Sequence, residues 1–140
     1  MAIPKKEIEK IEKYYADTER LFHLGEVDAA AVVAGKVIEG ILLITYKNEG
    51  IIGQIDIHGS LIWDSEIINK LFRRLTFNSY RIDEVLQLSS QAAHFEVEYG
   101  GRSSKYNKKF DVDSLNDLER FKRDFEKYAA FSNKDRKSVV

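Results

Sequence analysis

The stretch VDAAAVVAGKVIEGILLITYK, residues 27–47, decides the fold. Val32, Val33, Val37, Ile38, Ile41, Leu42, Leu43 and Ile44 leave it almost no polar side. A helix with that pattern is apolar nearly all round and has to be enclosed by other elements. Its first half carries Ala30, Ala31, Ala34 and Gly35. Small side chains there let a neighbouring helix approach closely, which offsets the propensity cost of Gly35 and Gly40, roughly 1 kcal/mol each. Asn48, Glu49 and Gly50 stop it.

Working outward, the preceding segment is amphipathic. Pro4 suits the first turn of a helix. Ile8, Ile11, Tyr15, Thr18 and Phe22 then recur at three- and four-residue steps, and Gly25 fits the position just past the helix end. On the other side, Gly50, Gly53 and Gly59 break any period up to Trp63, which reads as a loop with or without a short strand. Helical spacing returns at Ile67, Ile68, Leu71, Phe72 and Leu75, with Asp64 or Ser65 as the cap. A fourth helix is expected over Ser79–His94, turning Ile82, Val85, Leu86, Ser89, Ala92 and Ala93 to the core.

Between Phe95 and Val112 the spacing allows a short β-hairpin or a plain loop. The last helix is expected to open at Asp113–Ser114, with Ser114 and Asp117 as a capping box. Leu115, Leu118, Phe121, Phe125 and Tyr128 give it a clean apolar stripe. The polar stretch from Ser132 to Val140 is expected to fray. These elements add up to an all-α, up-and-down bundle of about five helices, one domain over residues 1–131 with a tail at 132–140.

Composition narrows the chemistry by exclusion. The 140 residues include 22 Lys plus Arg against 23 Asp plus Glu, for a formal charge of −1. That balance argues against nonspecific nucleic-acid binding by the whole surface, while leaving room for a local basic patch. The absence of Cys excludes a disulfide scaffold, thiolate metal sites and a cysteine nucleophile. The opening MAIPKKEIEKIEK has no apolar run behind its basic residues, and the apolar stretch around Val37–Ile44 is too short for a bilayer. A cytoplasmic protein without membrane contact is therefore expected.

The catalytic vocabulary reduces to three His, the carboxylates and the hydroxyls. No His-x-x-His or His-Glu-x-x-His spacing occurs, and Gly50-x-x-Gly53 does not lead into Gly-Lys-Ser/Thr, so neither a metal site nor a phosphate loop is expected. No cofactor is expected either. His23 reads as a helix C-terminal residue complementing the dipole, and His58 as a loop residue. His94 is different. Gln87, Ser90 and His94 share one helical face at i, i+3 and i+7. A His at a helix end can act as a general base or as a polar anchor.

Taken together, LFHLGEVDAAAVVAGKVIEGIL (residues 21–42) and RIDEVLQLSSQAAHF (81–95) resemble the HEPN superfamily of prokaryotic helical domains, and within it the branch found in defence-associated proteins. Gly25, Asp28, Ala30, Ala31, Ile38, Glu39 and Leu42 fall in matching places, and the likeness covers about residues 7 to 131. The resemblance implies a helical bundle, a homodimer formed through the helix carrying His94, and, in catalytic members, a metal-independent ribonuclease motif of Arg, four to six residues, then His. Here the motif is degenerate. Counting back from His94, Gln87, Leu88 or Ser89 would have to be the Arg, with Ser89 best aligned and Ser90 replacing the usual polar neighbour.

Chemistry says why the departure matters. Cleavage at a ribose 2′-OH needs a proton acceptor or donor and a cation against the phosphate. His94 can serve the first role; a neutral serine cannot serve the second, nor give the two-pronged grip of a guanidinium. Loss of one such group typically costs roughly a hundred- to thousandfold in rate. Glu39 is the remaining acidic candidate. It either bonds Ser89, Ser90 or His94 within a polar core, or points to the bundle edge.

A basic constellation, Arg102, Lys105, Lys108 and Lys109 with Tyr99 and Tyr106 interleaved, fits phosphate or RNA contact, or a solvated hairpin tip. Three functions follow. The leading one is a noncatalytic HEPN-like domain acting by binding, with a protein partner or RNA, in a defence, counter-defence or toxin–antitoxin setting. The second is an RNA endonuclease using His94, with Arg81 or Arg102 replacing the missing Arg. The third is an unrelated structural bundle, in which His94, Ser90 and Glu39 do not converge.

Overall fold

The computed structural model describes residues 3–50, 82, 84–92 and 110–138, and every element among them is helical. Helix α1 spans Lys5–His23 and α2 spans Val27–Asn48. Residues 84–92 form a helical stretch, α3, and Val112–Ser138 form α4. The expected helix at Ile67–Leu75, the hairpin or loop after Phe95 and the loop from Gly50 lie outside the described residues.

α1 ends as its glycine requires. Leu24 is still helical, Gly25 turns to φ 82°, and the amides of Gly25 and Glu26 donate to the carbonyls of Phe22 and Leu21 at 3.0 Å each. Those two bonds are a Schellman closure, which a side chain with a Cβ would strain at Gly25. α2 stops in the same manner, with Gly50 at φ 74° and its amide donating to Lys47. Pro4 stands at the N-cap, extended, and its carbonyl receives the amide of Glu7.

The start of α4 is earlier than expected, with the cap three residues upstream of Ser114. The helix begins at Val112, and Asp111 caps it: Asp111 Oδ1 accepts from the Ser114 amide at 3.0 Å and from its hydroxyl at 3.1 Å. Ser114 is thus the third helical residue, closing the box, and not its cap. An aspartate carboxylate is a strong acceptor at the positive end of a helix, so Asp111 takes precedence over Ser114. The stretch expected to fray from Ser132 departs from that expectation as well. α4 runs on to Ser138, because Ser132 and Asn133 are both engaged by the rest of the bundle.

α2 is the central helix, as its composition demands. Val37, Ile38, Ile41, Leu42 and Tyr46 are fully buried in one cluster with Ile11 and Tyr15 of α1, Ile82, Val85 and Ala92 beside α3, and Leu118, Phe121 and Phe125 of α4. Thr18 and Thr45 are buried without loss, since each hydroxyl donates to a carbonyl one turn back, Tyr14 at 2.9 Å and Ile41 at 2.8 Å. Two glycines set the helix spacings. A Cβ on Gly40 would stand 2.6 Å from Ile11 Cδ1, so its absence lets α1 close on α2. A Cβ on Gly35 would overlap the Ser89 hydroxyl, so its absence admits α3. Five residues of helix turn the two glycines about 140° apart, onto separate faces of α2.

A polar clasp joins the far end of the bundle. Asn48 donates to Tyr128 Oη at 2.7 Å and Ser132 Oγ at 2.9 Å, and Tyr128 donates to Glu49 at 2.6 Å. Beside it, the Asn133 amide accepts from the Ile3 N–H at 2.8 Å and donates to the Ile3 carbonyl at 3.2 Å.

Candidate functional site

Two features of α2 bear on function: the seam with α3 and an open groove beside α1. At the seam, Ser89 is buried, and its hydroxyl donates to the Val32 carbonyl at 3.4 Å across the space left by Gly35. Ala30, Ala34, Gly35 and Ala92 are buried within the protomer as well. The small residues expected to let a neighbouring helix approach closely are thus buried within the protomer, and at Gly35 the neighbour is α3.

The rest of the motif face separates from this seam. Gln87 and Ser90 are exposed, consistent with their shared helical face. Glu39 is exposed too and makes no hydrogen bond to Ser89 or Ser90, so of the two expected placements it takes the bundle edge. The energetic reason is plain: a carboxylate buried in this apolar helix would need a partner, and Ser89 is already committed to Val32. His94, His58 and the basic constellation of Arg102, Lys105, Tyr106, Lys108 and Lys109 lie outside the described residues. His23 is exposed in the last turn of α1, its ring edge-on to Phe22 at 5.8 Å.

The groove was not legible from motif spacing. It is an open cavity of about 570 Å³ between α1 and α2, with Ile3, Ile11, Gly40, Leu43 and Ile44 along its floor. Its rims are polar: Glu7, Lys10 and Tyr14 on α1, Lys36, Glu39 and Lys47 on α2. Lys36 Nζ stands over the Tyr14 ring at 5.8 Å, a cation–π contact. A signal for this groove did exist. Leu43 and Ile44, part of the all-round apolar pattern that calls for enclosure, are only half-buried at the groove.

On the opposite seam, α1 meets α4 through a charged cluster. Lys122 bonds Glu126 at 2.6 Å with its Nζ 5.2 Å from the Tyr15 ring centroid, while Arg123 pairs with Glu119. Burial, and then the Glu119 and Glu19 carboxylates, push the Tyr15 phenol well above its usual range. Among the described residues no group of His, Asp and Glu is placed to hold a metal ion, and no helix is long and apolar enough to cross a membrane. No family model, curated protein or solved structure matches the chain.

Proposed function

We propose that the chain is a noncatalytic HEPN-like helical domain that acts in the cytoplasm by binding, within a prokaryotic or phage defence, counter-defence or toxin–antitoxin system. The observation that carries this reading is the burial of Ser89. The position best aligned with the catalytic Arg is a packing position, pressed against Gly35 and bonded to the α2 backbone. A guanidinium there would sit in the seam, not against a phosphate. What remains available to a partner is surface: the apolar, charge-rimmed groove, whose volume lies in the range of ordinary binding sites. The near-neutral charge favours a protein partner over RNA.

A ribonuclease assay on single-stranded and structured RNA tests the reading, with His94→Ala as the control. The expected result is no cleavage above the level of the variant. Cleavage that disappears with His94→Ala returns the protein to the enzymes.

A further inference from the structure

We propose that Ile3 and Pro4 form a strap across the end of the bundle, fastened by Asn133, and that the strap and the last turns of α4 open together as one unit while the rest of the core stays closed. The device rests on contacts within the bundle and stands apart from the binding reading.

The fastening is a single side chain. The Ile3 amide donates to Asn133 Oδ1 at 2.8 Å, and Asn133 Nδ2 donates to the Ile3 carbonyl at 3.2 Å. One carboxamide thus holds both backbone groups of a residue 130 positions away. The Ile3 side chain is buried in the core cluster, on the apolar floor that it shares with Ile11 and Ile44. The first turn of α1 closes without it, since the Pro4 carbonyl receives the Glu7 and Ile8 amides at 3.1 and 3.4 Å. A residue before proline is held to extended backbone, so the strap keeps its shape when it lifts.

The helix end that grips the strap is itself held by polar contacts. Among the described residues, Ala129 is the last of α4 to be buried; Ala130, Phe131 and Lys134 are exposed, and Ser132 and Asn133 are half-buried. Beyond Ala129 the attachments are hydrogen bonds, Asn48 to Ser132 and Asn133 with Ile3. Tyr128, one residue before Ala129, bonds Asn48 and Glu49. Water competes for such bonds, and segments with few buried apolar contacts open first. When these turns unwind, Asn133 departs. The Ile3 N–H and C=O then lose their partners in a half-buried place, which is costly until the strap lifts into water. Unwinding of α4 and release of Ile3 are in this way one event, and it bares the apolar seat that Ile3 fills.

Thiol labelling of the full chain tests this. The sequence has no Cys, so Ile3→Cys puts a unique thiol in the strap and Val37→Cys, at a fully buried position of α2, a unique thiol in the core. Under native conditions the Ile3→Cys thiol should react with an aromatic disulfide reagent at least about a hundredfold faster than the Val37→Cys thiol, because it needs only local opening. Asn133→Ala should speed the Ile3→Cys reaction by about tenfold, and so should Tyr128→Phe, by loosening α4 through bonds that go to Asn48 and Glu49. Gly35→Ala, at the α3 seam, should speed the Val37→Cys reaction and leave the Ile3→Cys rate unchanged. Equal rates at the two thiols, or a Gly35→Ala effect on both, would mean that Ile3 is released only by global unfolding and overturn the proposal. An Ile3→Cys rate that Tyr128→Phe does not change overturns it as well, since the strap then moves without α4. So does an Ile3→Cys thiol that reacts as fast in buffer as in concentrated urea, which would mean that the strap is not seated.

Discussion

Ser89 lies across Gly35, its hydroxyl donating to the Val32 carbonyl where any side chain on residue 35 would stand. The two residues are 54 positions apart in sequence and together define how closely α3 approaches the central helix.

The first prediction concerns that approach. Gly35→Ala should destabilise the protein by about 1–3 kcal/mol through overpacking, even though Ala is the better helix former by roughly 1 kcal/mol. Adding Ser89→Ala should recover part of the loss, because the hydroxyl is the group overlapped. Urea melts of the two single variants and the double give the coupling; simple additivity would mean that the residues do not touch.

The clasp at the opposite end gives a second. Tyr128 Oη receives a bond from Asn48 and donates one to Glu49. Tyr128→Phe keeps the ring and removes both bonds, at an expected cost of about 1–3 kcal/mol. Chemical denaturation with an unchanged m-value would assign the change to the clasp; an unaltered midpoint would make it dispensable.

The end of α4 gives a third. Deleting residues 132–140 removes the Ser132 and Asn133 partners of Asn48 and Ile3. The melting temperature should fall by several degrees, since each kilocalorie shifts a domain of this size by roughly 3–6 °C. A truncation with the parent melting curve would restore the frayed tail expected from composition.

Tyr15 supplies the pH dependence. Its phenol is held protonated in the fold, mainly by burial and further by Glu119 and Glu19, above the ordinary value of 10.0. The unfolded chain therefore releases this proton first as pH rises. The contribution is fully present below pH 10.0 and is lost progressively above it. Tyr15→Phe should show a shallower alkaline loss of stability than the parent between about pH 9.5 and 11. Equal slopes would show that the Tyr15 proton plays no part.

Much of the fold was legible because it rests on periodicity. Ile11, Tyr15 and Thr18 on α1 and the all-round apolar face of α2 are local patterns, and the buried sets reproduce them. The cap of α4 was misplaced because two capping sequences overlap there. Only geometry shows that Asp111 is the cap, its carboxylate holding the Ser114 amide. Ser132 and Asn133 were missed for a different reason: their partners, Asn48 and Ile3, lie 84 and 130 residues away. Ser89 was correctly assigned to the core face, but its dependence on Gly35 is a tertiary contact that no spacing encodes. Glu39 fits either side of the bundle by spacing alone, and its exposure is what places it at the edge.

The central claim is that position 89 packs the bundle and does not face a substrate. It is tested most directly by the ribonuclease activity and thermal stability of Ser89→Arg, which restores the missing cation to the motif. The account predicts a protein that melts well below the parent and cuts no RNA, because the guanidinium is forced into the seam against Gly35. A Ser89→Arg protein that melts like the parent and cleaves RNA would contradict it.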